Sequence, residues 1–205
     1  MPAALSRTLR ADAQDNRDRL LDAARELFGE RGVAVPMREV ARRAGVGPAT
    51  LYRRFPTRQD LLDAALADEM SACRAIVDDG WAAEDPWAGL CDVIERLSLV
   101  NARNQGVVDA FLADRPGVDV LAGHRAGLLR KLVDLGRRAR ESGKLRADFT
   151  IDDLLLVLAA GRALGSLPPS RRPAAAGRLA RLAIDAFRAP SAPEPAGRRR
   201  KLTAP

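Results

Sequence analysis

The sequence predicts an all-α fold, and three observations carry that expectation. Ala, Leu, Arg, Asp and Glu dominate the composition, a mixture that favours helices, and aromatic residues make up only 4% of the chain. The β-branched residues that build strands are scarce. Apolar residues recur at i, i+3 and i+4, most clearly at Leu20, Ala23, Ala24, Leu27 and Phe28, which is the period of one buried helical face. With 205 residues, 47% of them hydrophobic, the chain can bury the core of one or two small domains.

The first helix is expected from about Asp15 to Arg31, with Asp15, Asn16 and Asp18 as capping oxygens and Gly32 as a left-handed stop. Pro36 suits the start of a second helix of barely two turns, whose Met37, Val40, Ala41 and Ala44 share a side before Gly45 ends it. Pro48 opens a third short helix that turns Leu51 inward and closes at Phe55-Pro56. Thr57, with Asp60 three residues on, starts a fourth helix in a capping-box pattern, expected to reach about Asp78.

Beyond residue 80, amphipathic helices continue through Trp87, Leu90, Ile94 and Leu97, then Val107 and Phe111, then a long pattern from Leu121 to Ala139. Asp79-Gly80, Asp85-Pro86, Arg115-Pro116-Gly117 and Ser142-Gly143 are the expected breaks. A helix from Ile151 to about Leu164 and a final one from Ala174 to Phe187 complete the set. Leu154 to Ala160 is apolar almost all round, which suits an intersubunit four-helix bundle, so the last two helices are the expected dimer face. Its candidate residues are Leu154, Leu155 and Leu158 on one helix and Leu179, Leu182, Ala183, Ala186 and Phe187 on the other.

Several function classes are disfavoured. The longest apolar run, Leu154 to Gly161, falls far short of the roughly 20 residues a membrane span needs, so no membrane partner is expected. The first residues lack the pattern of a secretory signal, which predicts a cytoplasmic protein. Two cysteines, Cys73 and Cys91, and a single histidine give neither a disulfide scaffold nor a zinc site, so no metal and no cofactor are expected. An enzyme is the weakest reading, because no nucleophile stands at a recognisable spacing from a general base.

The net charge of +7 is informative once located. Residues 1–60 hold 12 Arg against 8 acids, residues 61–189 balance at 18 against 18, and residues 190–205 hold 4 against 1. Positive charge at the N-terminal end fits a polyanion partner, and equally a solvated basic surface. The two short helices around Gly45 narrow the choice. Ala41 is small where they would cross and Gly45 follows four residues later, the pattern of a helix-turn-helix between Pro36 and Phe55.

The stretch from Asn16 to Leu62, NRDRLLDAARELFGERGVAVPMREVARRAGVGPATLYRRFPTRQDLL, resembles the N-terminal DNA-binding domain of TetR-type (TetR/AcrR) bacterial transcription regulators. Shared features are the helix-one run ending in Leu27-Phe28, Gly32, Val40-Ala41, Ala44-Gly45-Val46, Thr50-Leu51-Tyr52, Phe55 and a basic residue at 58. The resemblance implies that the third helix enters the major groove and that Thr50, Tyr52, Arg54 and Arg58 touch phosphates or lie beside base edges. Tyr52 offers a hydroxyl on a rigid arm, and Arg53, Arg54 and Arg58 offer guanidinium forks for the backbone. Base readout would fall to Gly47, Pro48, Ala49 and Thr50, with Arg43 reaching from the second helix. That set is thin in hydrogen-bonding groups. It leaves open apolar contact with thymine methyls, or reliance on Arg43, Arg53 and DNA shape.

Several positions depart from the family pattern, among them Pro36 where Ser or Thr usually caps the second helix, Arg54 for a usual His and Arg58 for a usual Lys. Gly47 also stands where Ser is frequent. The segment Gly143 to Leu154, Gly-x-Leu-Arg-x-Asp-x-Thr-x-Asp-Asp-Leu, resembles an SbtR-like C-terminal domain. The family's small-molecule cavity implies an unidentified effector, with Trp87, Ile94, Asn101, Asn104, Val107, Phe111, His124 and Leu128 as candidate lining. His124 is either a core histidine or a ligand contact, and Asn101 and Asn104 either line the cavity or end their helix.

The chain is expected to divide into a disordered basic arm (1–14) that holds Arg7 and Arg10, a helix-turn-helix domain (15–60), a helical effector-binding and dimerisation domain (61–189) bridged to it by the helix from Thr57, and a Pro- and Ala-rich disordered tail (190–205). The expected function is a ligand-responsive homodimeric repressor of double-stranded DNA in the bacterial cytoplasm, on the nucleoid when bound, and released from a palindromic operator by its effector. The alternative is a helical protein-interaction module that has lost specific DNA binding, suggested by Pro36 and the sparse base-reading surface.

Overall fold

The computed structural model describes the backbone of residues 2–104 and 120–190, and side chains at 14–104 and 125–190. Val107 and Phe111 lie outside the described residues, as does the tail beyond 190, and only the backbone of His124 is described. The α-helices are α1 (Pro2–Arg31), α2 (Met37–Arg43), α3 (Pro48–Arg54), α4 (Arg58–Ala82), α5 (Pro86–Arg103), α6 (Val120–Glu141), α7 (Ile151–Gly161) and α8 (Arg172–Phe187). Two 3-10 segments, Arg162–Ser166 and Pro169–Arg171, join α7 to α8. Among the described residues the only β pairing is one isolated bridge, Leu145 with Arg188, and the all-α expectation holds.

α1 begins at Pro2, so residues 2–14 are helical where an unstructured arm was expected. The physical reason is local. Ala3, Ala4, Leu5, Leu9, Ala11 and Ala13 are good helix formers with no glycine among them, and a proline is tolerated in a first turn. Asp15 and Asp18 therefore act inside the helix, Asp15 pairing with Arg19 at 3.5 Å and Asp18 accepting from Gln14 at 2.9 Å. Gly32 ends α1 at φ 74°, as its position predicted.

Thr57 caps α4 in the expected box, accepting from the Asp60 amide while Asp60 accepts from the Thr57 amide at 2.9 Å. α4 does not stop at Asp79-Gly80. It runs to Ala82, because Gly80 is a crossing point and not a turn: a Cβ there would meet the Gly89 carbonyl oxygen at 2.8 Å and Val93 at 2.3 Å. α5 starts on the Asp85 cap with Pro86 in its first turn and packs most extensively against α8 and α4. Gly143, at φ 72°, closes α6. The following loop is pinned to the end of α8, where Arg146 N–H donates to the Phe187 carbonyl at 2.9 Å and Phe149 meets Phe187 edge-on with 5.0 Å between ring centres.

α7 is shorter than the sequence suggested, tightening into 3-10 geometry at Arg162. Of the expected dimer residues, Leu154, Leu158, Ala183 and Phe187 are buried in the subunit's own core. Leu155 and Leu179 are half-buried, and Leu182 and Ala186 are exposed. Helical periodicity marks two apolar faces on α7 and α8, and the inner one is consumed by packing against α5. Leu156, which the sequence reading left aside, is the most exposed large hydrophobic residue described, at 70%. Among the described residues no helix is long and apolar enough to cross a membrane.

Candidate nucleic-acid interface

The head is assembled on α1. Leu20, Ala24, Leu27 and Phe28 are buried with Val40 and Ala41 of α2 and Leu51 of α3, so both short helices hang from one face of the long one. The α2–α3 turn is a Schellman closure: Val46 N–H donates to the Ala41 carbonyl at 3.0 Å and Gly45 N–H to Arg42 at 3.2 Å. Gly45 has φ 66°, the left-handed conformation that its place in the turn predicted and that a side chain would strain. Extended Gly47 and Pro48 then start α3 in a new direction.

α3 buries Leu51 and leaves the opposite side open. Tyr52 is 52% exposed, and Gly47, Pro48, Ala49, Arg53 and Arg54 are exposed with it. Thr50 is half-buried. No atom lies within 4 Å of the place a Cβ would take at Gly47, so the entrance to this helix is sterically open. Phe55 closes the helix and is buried, with the Arg17 guanidinium 5.5 Å above its ring.

Two predicted contact residues have other engagements. Arg43 turns back to α1, bonding Glu26 at 2.5 Å and approaching Glu30 at 4.0 Å, so it braces α2 and does not project with α3. Arg58 donates to the Val33 carbonyl and ties the start of α4 to the α1–α2 loop. Both links cross between helices, and the chain order alone gives no sign of them.

Arg38 and Arg42 were missed. They stand four residues apart on the outer face of α2, both exposed, a spacing that was readable as one basic stripe. Arg42 stays 77% exposed although it approaches Glu39 at 3.6 Å. Glu39 itself belongs to Arg31, whose hydrogen bond and charge hold the carboxyl below its ordinary value. The outer surface of α2 and α3 thus carries Arg38, Arg42, Arg53 and Arg54 around Tyr52, a cationic rim about an open helix.

The described candidate effector residues are spread along the C-terminal domain. Trp87, Ile94, Asn101 and Leu128 are all buried, yet Trp87 and Asn101 lie about 21 Å apart along α5 at 1.5 Å per residue. Trp87 packs under Arg188, at 5.5 Å, whereas Asn101 donates to the Leu158 carbonyl on α7 at 2.6 Å. Asn104 ends α5, as one of its two readings had it, and donates to Glu69 at 3.1 Å.

A family model described as "Bacterial regulatory proteins, tetR family" matches residues 20–65. The transcriptional repressor KstR of Mycobacterium tuberculosis is 33% identical over 144 residues, spanning 68% of this chain and 66% of KstR. KstR of Mycolicibacterium smegmatis is 33% identical over the same length, spanning 71% of that protein. Among solved structures, the TetR transcriptional regulator SCO0520 of Streptomyces coelicolor is 34% identical, with 85% of this chain and 99% of that one covered at a TM-score of 0.51. The ketosteroid transcriptional regulator KstR2 of M. tuberculosis shares the fold at a TM-score of 0.59 and 21% identity. Agreement in sequence over two thirds of the chain, and in fold over most of it, establishes that the chain belongs to the TetR family of DNA-binding bacterial transcription regulators.

Proposed function

We propose that the chain is a homodimeric repressor that lays its two α3 helices in successive major grooves of a palindromic operator and lets go when a small molecule enters the C-terminal domain. One observation carries the DNA part of this reading: Tyr52, Arg53 and Arg54 stand exposed beside the buried Leu51 that anchors their helix. An open, cationic helix on a rigid three-helix support is what phosphate contact and groove entry require. Thr50 and Ala49 lie at the part of the helix that meets base edges, with Arg38 and Arg42 flanking the backbone. The KstR proteins are named repressors, which supports repression over activation here. Selection of bound duplexes from a random pool tests the reading: it yields an inverted repeat with half-site centres about 34–36 Å apart or a multiple of that. A pool that enriches no motif would favour the interaction-module alternative.

The dimer surface is the outward side of α7 and α8. Leu156 and Leu182 are 70% and 58% exposed there, continued by Leu155, Leu179 and Ala186. Exposed Arg178 and Asp185 bracket Leu182 on α8. Two such helices packed antiparallel about an axis beside Leu182 set Arg178 opposite the partner's Asp185, a self-complementary arrangement. Leu182→Arg is expected to give a monomer in sedimentation. It should weaken operator binding by about 100-fold through lost bivalency, without changing the melting of the monomer unit. A variant that sediments as a dimer contradicts this surface.

A further inference from the structure

α5 is apolar along its buried face except at Ser98 and Asn101, 5% and 2% exposed, the buried polar residues among those described. They lie one turn apart on the same side of the helix. Where α7 tightens at its end, the Arg162 amide donates to Ala159, and the Leu158 carbonyl is taken instead by Asn101 Nδ2 at 2.6 Å. Asn101 also lies where a side chain on Gly161 would go, with Nδ2 2.7 Å from that position. Because a carbonyl can only accept, this contact fixes the amide orientation and leaves Oδ1 as a free acceptor. Asn101 Oδ1 has no hydrogen-bond partner, and neither does Ser98 Oγ. Glu69 on α4, which accepts from Asn104 one turn further along α5, has its second carboxylate oxygen buried and equally unpartnered.

Unpaired buried polar atoms cost more than an ordinary hydrogen bond returns, and three near one end of α5 call for an explanation. Asn101 Oδ1 and the carboxylate oxygen can only accept, whereas the Ser98 hydroxyl can accept or donate. A ligand that satisfies the first two must donate, and the carboxylate repels an anion. The surrounding core is apolar, which penalises a charged group, and Glu69, the one of the three that could balance a cation, stands at the Asn104 end and not between Ser98 and Asn101.

We propose that Ser98 and Asn101, with Glu69 beside them, form the polar end of the effector site and receive an uncharged, largely apolar molecule through a hydroxyl group. This rests on the reading of the C-terminal domain as effector-binding. The hydroxyl donates its one proton to Asn101 Oδ1, and its oxygen accepts from the Ser98 hydroxyl.

The test titrates the full chain with matched probes: 1-decanol against decyl methyl ether, 2-naphthol against 2-methoxynaphthalene, and decanoate and decylamine as charged counterparts. At least one alcohol is expected to bind about tenfold more tightly than its ether, the worth of a buried donor. In Asn101→Leu the preference should shrink to within about twofold, because the ether makes no use of the lost acceptor, while Ser98→Ala, which takes a donor from both members of a pair, should weaken both alike. A readout without ligand runs alongside. Ser98→Ala removes an orphan hydroxyl and should raise Tm by roughly 2–4 °C, which keeps the proposal falsifiable if Asn101→Leu does not fold. Equal binding of alcohol and ether, tighter binding of either charged probe, no binding of any probe, or a lowered Tm in Ser98→Ala would each overturn it. Gel shift of the unaltered chain reads the regulator function separately, so a chain that takes the alcohol but no duplex refutes that function and not this site.

Discussion

Tyr52→Phe combined with Arg54→Ala is expected to weaken operator binding by about 10- to 100-fold, at every operator variant alike, because on the proposed reading it removes a hydroxyl and a guanidinium that meet phosphates. The salt dependence should change with it. Each dimer loses two arginine contacts, and each phosphate contact contributes about 0.9 to the slope of log K against log salt, so the slope should fall by about 1.8. The tyrosine half of the change leaves the slope alone, since a neutral hydroxyl displaces no counterion. Both side chains are exposed, so Tm should stay within a degree or two of the unaltered protein, roughly what a surface change allows. Gel shifts at three salt concentrations check all of this, and undiminished affinity would contradict the assignment of α3.

The largest effect on folding is expected at the α4–α5 crossing. A Cβ on Gly89 would stand 2.2 Å from the Gly80 carbonyl oxygen and 2.9 Å from the Ala83 side chain. The first obstacle is backbone, which no rotamer change can move, so Gly89→Ala must prise apart two helices whose neighbours Val77, Leu90 and Val93 are fully packed. A cost of about 3 kcal/mol follows from overpacking of this kind, lowering Tm by roughly 10 °C in a chain of this size. Gly47→Ala is the control. Nothing lies within 4 Å of its added atom, so its thermal melt should match the unaltered protein's. A Gly89→Ala protein that melts normally would mean the two helices do not cross there.

What the sequence made legible was local. Leu20 to Phe28 announce a buried face by spacing alone, Gly45 announces a left-handed turn because few other residues tolerate one, and Thr57 with Asp60 announces a cap. Each of these is decided within about one helical turn of chain. What was not legible depends on residues far apart in the chain. Gly80 reads as a breaker until Gly89 is seen pressed against it, and Arg43 reads as a groove contact until Glu26 and Glu30 are found beside it. Leu154 and Leu156 are equally apolar, and only the packing of α7 onto its neighbours turns the first inward and leaves the second at the surface. The helical run from Pro2 is hidden for a different reason: Arg7 and Arg10 give the segment the charge of a basic arm, although the alanines and leucines around them favour a helix.

The position of α3 against DNA can be probed by cross-linking. Ala49→Cys puts a thiol on its exposed start, and a duplex bearing a cytosine tethered to a mixed disulfide, which exchanges with that thiol and releases its small thiol, reports from the floor of the major groove. The native thiols do not compete, because burial pushes both Cys73 and Cys91 up to about 11, which leaves little thiolate at neutral pH. Disulfide formation confined to one cytosine in each half-site is the predicted result. Formation from an Ala88→Cys control on α5 and not from Ala49→Cys would contradict the account, since the open helix beside Tyr52 would then not be the one that enters the groove.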